Sequence, residues 1–295
     1  MGLLVTHGAP PPLSPELCEH PGNDRVGTGG TFIIHELAAD LQVRVTRTMP
    51  DLPQPLDAEI ERLWQEAAAR IEAGGAGRLF NGRVFSIDTI TPHRVTGYLT
   101  EFRRLVAQME RVALFAELGL RSLAVCGVLR CAGGVVIGRR HPGAIYQAGQ
   151  WQLPPAGSVD AGAVAPDGTV DLRRQLLTEL EEELGLPSDS VDTPRPLCII
   201  EHPGSHVSDL GMAMTTRLDA PAVLAAHRAR GNIEYRPLLV VPQAALPDFL
   251  AEAGDAVVPP AHEFLKRAGL LVRSRLLNAG GSAELSPICN TCRPK

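Results

Sequence analysis

Thr178-Glu179-Leu180-Glu181-Glu182-Glu183-Leu184-Gly185-Leu186 is the stretch from which the rest of the chain can be read. Glu179, Glu182 and Glu183 stand at i, i+3 and i+4, which on a helix is one face. Gly185 reads as the residue just past the helix end and Pro187 as a stop, so the three carboxylates fall in the last turns. That is an unfavourable place for anions. The helix C-terminus carries partial negative charge, and like charges at this spacing repel by roughly 0.2–0.5 kcal/mol per pair. A run of this kind is either a solvated acidic face or a face that holds a cation. A hard divalent ion such as Mg2+ takes a few carboxylates and fills its other positions with water and substrate phosphates.

The residues upstream choose between these two. Trp151-Gln152-Leu153-Pro154-Pro155-Ala156-Gly157 is a short apolar run closed by Pro and Gly, a strand turning into a loop. From Asp171 to Leu184 apolar residues recur at 172, 176, 177, 180 and 184, the spacing of a helix. Strand, Gly-containing loop and acid-rich helix therefore follow one another.

This arrangement resembles the Nudix hydrolases. Their signature is a Gly, five residues, a Glu, seven residues, then Arg-Glu-aliphatic-x-Glu-Glu-x-Gly-aliphatic. The second half matches from Glu179 to Leu186, and Gly157 fits the opening Gly. Three departures stand out. Thr178 occupies the Arg position. The loop between Gly157 and Thr178 is longer than the pattern by about seven residues, and Ala161 to Gly168 reads as a surface lengthening. The early Glu has no counterpart; Ala163 and Val170 flank its place. The family Arg orients a signature Glu, and Arg173 or Arg174 is the candidate replacement.

The flanks agree with the resemblance. Leu123 to Arg140 reads as two strands joined by a Gly-Gly turn. Pro196–Glu201, Leu210–Leu218 and Ile233–Val241 read as further strands, and Pro259–Ala268 as a closing helix. The expected fold is α/β (α+β): a Nudix-type α/β/α sandwich around a mixed β-sheet, with an N-terminal α+β extension. The expected divisions are a loosely ordered Pro/Gly-rich segment over 1–30, the extension over 31–119, the Nudix domain over 120–270 and a tail over 271–295.

In the extension, 32–34 and 41–45 suggest short strands. Residues 57–73 form a helix with Ile60, Leu63, Trp64, Ala67, Ala68 and Ile71 in one stripe. Leu79 to Phe85 reads as a strand entering a turn and a second strand through Ile90, and Thr96 to Arg104 as the opening of another helix. A Trp-bearing helix, then Leu-Phe-Asn-Gly, then Thr-Glu-Phe-Arg before the hairpin is similar to the Nudix branch that includes animal UDP-glucose pyrophosphatase and related plant and bacterial proteins.

The resemblance implies metal-dependent hydrolysis of a diphosphate bond in a nucleoside diphosphate linked to another moiety, with a UDP-sugar giving UMP and sugar 1-phosphate as the first choice. It implies Mg2+, or Mn2+, on Glu179, Glu182 and Glu183, with the backbone of Ala156 and Gly157 as further ligands. The family base is a Glu, here Glu183 or Glu234, with Glu182 also in the catalytic set. Arg139 and Arg140, just before the loop His141–Gly149, are candidate phosphate ligands. Tyr98, Glu101 and Arg103 are candidates for the nucleotide pocket, or alternatively the packed start of a helix. The alternative to an enzyme is a catalytically weakened Nudix-fold nucleotide-binding or sensor protein.

Composition sets limits. A hydrophobic content of 44% supplies a packed core, and a net charge of −5 gives no reason to expect nucleic acid or an anionic membrane as partner. No apolar run reaches membrane-span length, and Met1–Pro12 lacks the basic start of a signal peptide. The six cysteines are scattered and form no disulfide framework, which suits a cytoplasmic setting. Cys126 and Cys198 lie in apolar strands as buried thiols. Cys289-x-x-Cys292 has no second pair to complete a zinc site. His202 and His206 flank a turn and read as a polar loop. A homodimer using helix 57–73 is compatible with the sequence but not required by it.

Overall fold

The structure is a computed structural model and describes residues 31–75 and 77–271. The N-terminal segment before 31 and the tail with Cys289 and Cys292 lie outside the described residues.

Two sheets organise the chain. The larger is built on β5 (Leu123–Ala132) and β6 (Gly134–Arg140), the hairpin expected from the sequence. β10 (Ser208–Asp219) runs parallel to β5 and antiparallel to β9 (Arg195–Glu201). β1 (Ile33–Glu36) closes one edge on β9, and β11 (Tyr235–Val241) closes the other on β6. Two short strands branch from the centre: β7 (Trp151–Gln152) on β6 and β8 (Ala156–Ser158) on β5. With parallel and antiparallel pairs in one sheet, the α/β class with a mixed sheet is confirmed.

Helices cover both faces. Odd positions of β5, such as Leu123, Val125 and Leu129, enter a core with Leu176, Leu180 and Leu184 of α4 (Leu172–Leu184) and Val223 of α5 (Ala220–Arg230). Even positions, Cys126 and Val128, enter a second core with Leu246 and Leu250 of α6 (Leu246–Ala253) and Phe264 and Leu265 of α7 (Pro260–Arg267). Strand alternation thus delivers the three layers directly.

The second sheet has the order β2 (Gln42–Val45), β4 (Arg94–Glu101), β3 (Arg83–Ile90). One face of it, with Val43, Phe85, Ile87 and Val95, joins the α4-side core. The other, with Val84 and Tyr98, packs on α1 (Gln54–Ala73), α2 (Phe102–Glu110) and α3 (Phe115–Leu118). β1, which precedes the expected boundary at residue 120, is a strand of the large sheet.

Three local expectations are corrected. Leu79–Phe85 makes no strand-turn-strand: β3 runs unbroken from Arg83 to Ile90, and Asn81 Oδ1 accepts from Arg103 N–H (2.9 Å), capping α2. Thr96–Glu101 is strand, and the helix starts at Phe102; antiparallel pairing with β3, with Val95 buried on one face and Tyr98 on the other, outweighs the cap-like Thr-Glu pair. The lengthened loop is not a loose surface excursion. Val45 N–H donates to Gly168 O (2.8 Å), Val170 N–H to Val43 O (2.9 Å), and Ala163 is buried in the core. The extra residues staple β2 to the connection between β8 and α4. Helices α5 and α6 were not placed from sequence, although Asp219 caps α5 through Ala222 N–H (2.9 Å) and Pro221 follows in its first turn.

Candidate active site

Helix α4 carries the acidic signature as expected. Asp171 Oδ1 caps its start by accepting from Arg174 N–H (2.9 Å), and Gly185 ends it at φ 65°, where L side chains are strained. The stripe toward the sheet is Leu172, Leu176, Leu180, Glu183 and Leu184, so one carboxylate shares the core-facing side with leucines. Glu183 is 2% exposed, and its Oε2 accepts from Ala156 N–H of β8 (2.9 Å).

Glu179, one turn earlier, is half-buried. Its Oε1 accepts from Gln175 Nε2 (2.8 Å), and its carboxyl lies directly against Gly157. A Cβ at residue 157 would stand 2.1 Å from Glu179 Oε1 and 2.3 Å from its Cδ. The opening Gly is therefore the residue that lets a carboxylate reach the strand. Glu182 is exposed at the rim, and Glu181 turns away to accept from Ser188 N–H (2.9 Å).

Glu234, the residue just before β11, adds its charge to the group. Burial pushes Glu183 well above the usual carboxylate range, and the charges of Glu234 and Glu179 push it further, against the Ala156 N–H and Arg140. Burial raises Glu179 to about 7; Gln175 opposes this, while Glu182, Glu234 and Asp160 add to it. The carboxyls thus repel one another in a partly dry place.

The counter-charge comes from β6. Arg140 pairs with Glu234 (Nη1–Oε1 3.2 Å), donates from Nη1 to Gln152 Oε1 (2.6 Å) and from Nε to Tyr146 O (3.1 Å). Tyr235 O–H also donates to Gln152 Oε1 (2.9 Å), fixing that amide. Arg140 Nη2 has no hydrogen-bond partner among the described residues. Arg139, pointing to the opposite face as alternation requires, donates to Gly149 O (2.9 Å) and lies over the Trp151 ring.

Other sequence candidates lie elsewhere. Tyr98 is 3% exposed in the α1-side core, with the Arg47 guanidinium 3.7 Å over its ring. Glu101 and Arg103 pair with each other (2.9 Å), and Arg103 pairs with Asp57 (2.7 Å). Among the described residues these contacts knit α1 to α2 and touch none of the carboxylates above. Thr178 bonds back to Arg174 O (3.0 Å), and Arg173 and Arg174 line an open groove with Leu177, Glu181 and Ser188. The cation whose charge acts on Glu183 is Arg140, on β6. Gln152, Gln175 and Tyr235 escaped the sequence reading. Gln175 was findable, since it stands four residues before Glu179 on the same helix face.

The donor set is oxygen only and net negative, which fits a hard divalent cation such as Mg2+ in chemistry. As the side chains lie, no three His, Cys, Asp or Glu among the described residues stand close enough to hold an ion. No helix of the described residues is long and apolar enough to cross a membrane.

No protein-family model matches the chain, and no curated protein matches it. Among solved structures, a Deinococcus radiodurans protein is similar at 20% identity and a TM-score of 0.40, over 63% of this chain and 98% of that one. A NUDIX-family hydrolase from Clostridium perfringens is similar at 13% identity and a TM-score of 0.34, over 51% and 95%. Likenesses this distant carry no functional argument; the chemistry must come from the site.

Proposed function

We propose that the chain is a divalent-metal-dependent hydrolase of the diphosphate bond in a nucleoside diphosphate linked to another moiety, with a UDP-sugar as first substrate. The observation that carries this reading is the placement of three carboxylates, Glu183 on Ala156 N–H, Glu179 against Gly157 and Glu234 paired with Arg140, whose charges act on one another. Folding tolerates such repulsion where a cation relieves it. Glu179 and Glu183 would hold Mg2+, with Glu182 at the open rim and the backbone at Ala156 and Gly157 beside them. Bound there, the cation would neutralise diphosphate charge and bring water and phosphate together.

This chain's own groups supply the rest. Arg140 offers Nη2 to a phosphate oxygen while its other nitrogens stay bonded to the protein. Glu234 accepts the proton of the attacking water, and its ion pair with Arg140 keeps it aimed; Glu183, fully buried and bonded to Ala156, is the less mobile alternative. Water oxygen bonds to phosphorus, the bridging P–O bond breaks, and the bridging oxygen leaves on the second phosphate.

One observation favours a second reading, a nucleotide-binding or sensor protein on the same fold. Thr178 leaves the signature without its own Arg, and no three carboxylates meet at ligand distance. The deciding experiment offers nucleotide sugars, dinucleoside polyphosphates, ADP-ribose and coenzyme A with Mg2+ or Mn2+. Metal-dependent turnover that is lost in Glu179→Gln and Glu183→Gln supports the hydrolase. Nucleotide binding without turnover of any compound supports the sensor.

A further inference from the structure

Behind the loop after β6 lies a chain of polar side chains that the proposed chemistry does not use. Asp209 is held mid-sheet, its backbone opposite Ile200 on β9 and Ala124 on β5. Its Oδ2 lies 2.6 Å from His202 Nε2. His202 Nδ1 lies 3.1 Å from Tyr146 Oη, and Tyr146 Oη lies 3.0 Å from Ser205 Oγ. Ser205 Oγ in turn accepts from Val207 N–H (3.4 Å). Asp209, His202 and Ser205 are all buried.

A single run of donated protons satisfies every member. His202 Nε2–H donates to Asp209, Tyr146 O–H donates to the bare Nδ1, and Ser205 O–H donates to Tyr146 Oη. The far end of this chain is rooted in the sheet, so the Tyr146 hydroxyl is fixed in space.

Two more contacts restrain the same loop. Ile145 packs on the α1–α2 cluster of Trp64, Ala67 and Val106. Gln147, next after Tyr146, has φ 52°, a left-handed conformation that a non-glycine residue keeps when its surroundings over-determine it. Between these points the Tyr146 carbonyl accepts from Arg140 Nε–H.

That carbonyl matters because of what surrounds the guanidinium. The charges of Glu234, Glu183 and Asp209 all act on it, and Glu234 pairs with it (3.2 Å). Held at Nη1 alone, the plane could swing and direct all its donors at the carboxylates. Anchoring at Nε as well fixes the plane and leaves Nη2 without a protein partner among the described residues.

We propose that Tyr146 is a positioning residue, and that the Asp209–His202–Ser205 network acts through it to hold Arg140 open toward the phosphates of a nucleoside diphosphate. The consequence for ligand rests on the hydrolase reading; the anchoring itself does not.

The experiment follows the Arg140 Nε–H signal by 15N NMR, assigned by its disappearance in Arg140→Lys, and measures UDP affinity with Mg2+ by calorimetry. Tyr146→Phe removes one hydroxyl and keeps the ring. Asp209→Asn perturbs the chain from its rooted end, and thermal melts show that both variants are folded. Expected in both is about tenfold faster Nε–H exchange with water, and UDP binding weakened about five- to tenfold, in the range of one lost hydrogen bond. Nε–H exchange that stays slow in both variants overturns the proposal. Faster exchange with UDP affinity unchanged overturns the link from Tyr146 to the ligand. If the unaltered protein binds no nucleoside diphosphate, the hydrolase reading fails, while faster exchange in the variants still supports the anchoring.

Discussion

Gly157→Ala tests the site at its tightest point. The backbone there is ordinary strand, paired with Val125, so an added methyl brings no dihedral strain and acts through contact alone. It would meet Glu179 Oε1 at 2.1 Å, where real Cβ contacts under 3.0 Å essentially never occur. The carboxyl must therefore retreat by about 1 Å. Retreat stretches the 2.8 Å bond from Gln175 beyond hydrogen-bond range. Losing that bond costs about 1 kcal/mol, and crowding a packed spot about 1–3 kcal/mol. Replacing Gly by Ala returns about 0.5 kcal/mol through the unfolded chain. The net expectation is a loss of about 2 kcal/mol, or a Tm lower by about 4–8 °C for a domain of this size. A ligand displaced by about 1 Å lowers kcat/KM about 10²-fold and Mn2+ affinity about 10- to 100-fold. Thermal melts and Mn2+ calorimetry are run on Gly157→Ala, Glu179→Ala and the double variant. Because the clash needs both partners, the double variant is more stable than the sum of the two single effects predicts. Strictly additive costs, or a Gly157→Ala protein with unchanged Tm and Mn2+ affinity, refute the contact.

Three other predictions each concern a single side chain. Glu183→Gln keeps the shape and an oxygen for Ala156 N–H but removes a charge that burial and its neighbours oppose; at pH 8 the metal-free variant has a higher urea midpoint than the unaltered protein and no turnover, and an unchanged or lower midpoint contradicts the repulsion. Arg140→Lys retains charge but loses the planar fork between Tyr146 O and Gln152, so kcat/KM on a nucleotide sugar falls at least about tenfold; activity like the unaltered protein's removes Arg140 from the site. Burial pushes Glu201 up, but the hydrogen bonds and charge of Arg121, with His206 alongside, win and hold the carboxyl below its usual 4.5. A lowered carboxyl contributes stability that is present above 4.5 and lost as pH falls through the folded value, so Glu201→Gln flattens the acid limb of the stability curve below pH 4.5 and leaves its slope at neutral pH unchanged; parallel curves would show that the pair contributes nothing.

What the sequence showed and what it hid divide along one physical line. Helix α4 was legible to the residue because its information is local: an Asp cap, a leucine stripe at helical spacing and a Gly past the end act within a few residues of one another. The β5–β6 hairpin was legible for the same reason. Thr96–Glu101 misled because its local signals favoured a helix start, whereas the pairing that makes it a strand lies in β3 and β2. The site divides likewise. Glu179, Glu182 and Glu183 are visible as a spacing, but their electrostatics are not. The group that balances Glu183 arrives from β6, the one that repels it from β11, and the tyrosine that fixes the balance from a loop whose hydroxyl partner is more than fifty residues away. One of the three departures, Thr178 in place of Arg, has a different meaning in three dimensions. A cation on the helix would be one way to steady the carboxylates; in the proposed site Arg140, paired with Glu234, takes that part from β6, in a register set by Tyr235 opposite it on β11. A missing motif residue therefore argues for lost function only after the charge it carried has been sought on every strand that faces the site.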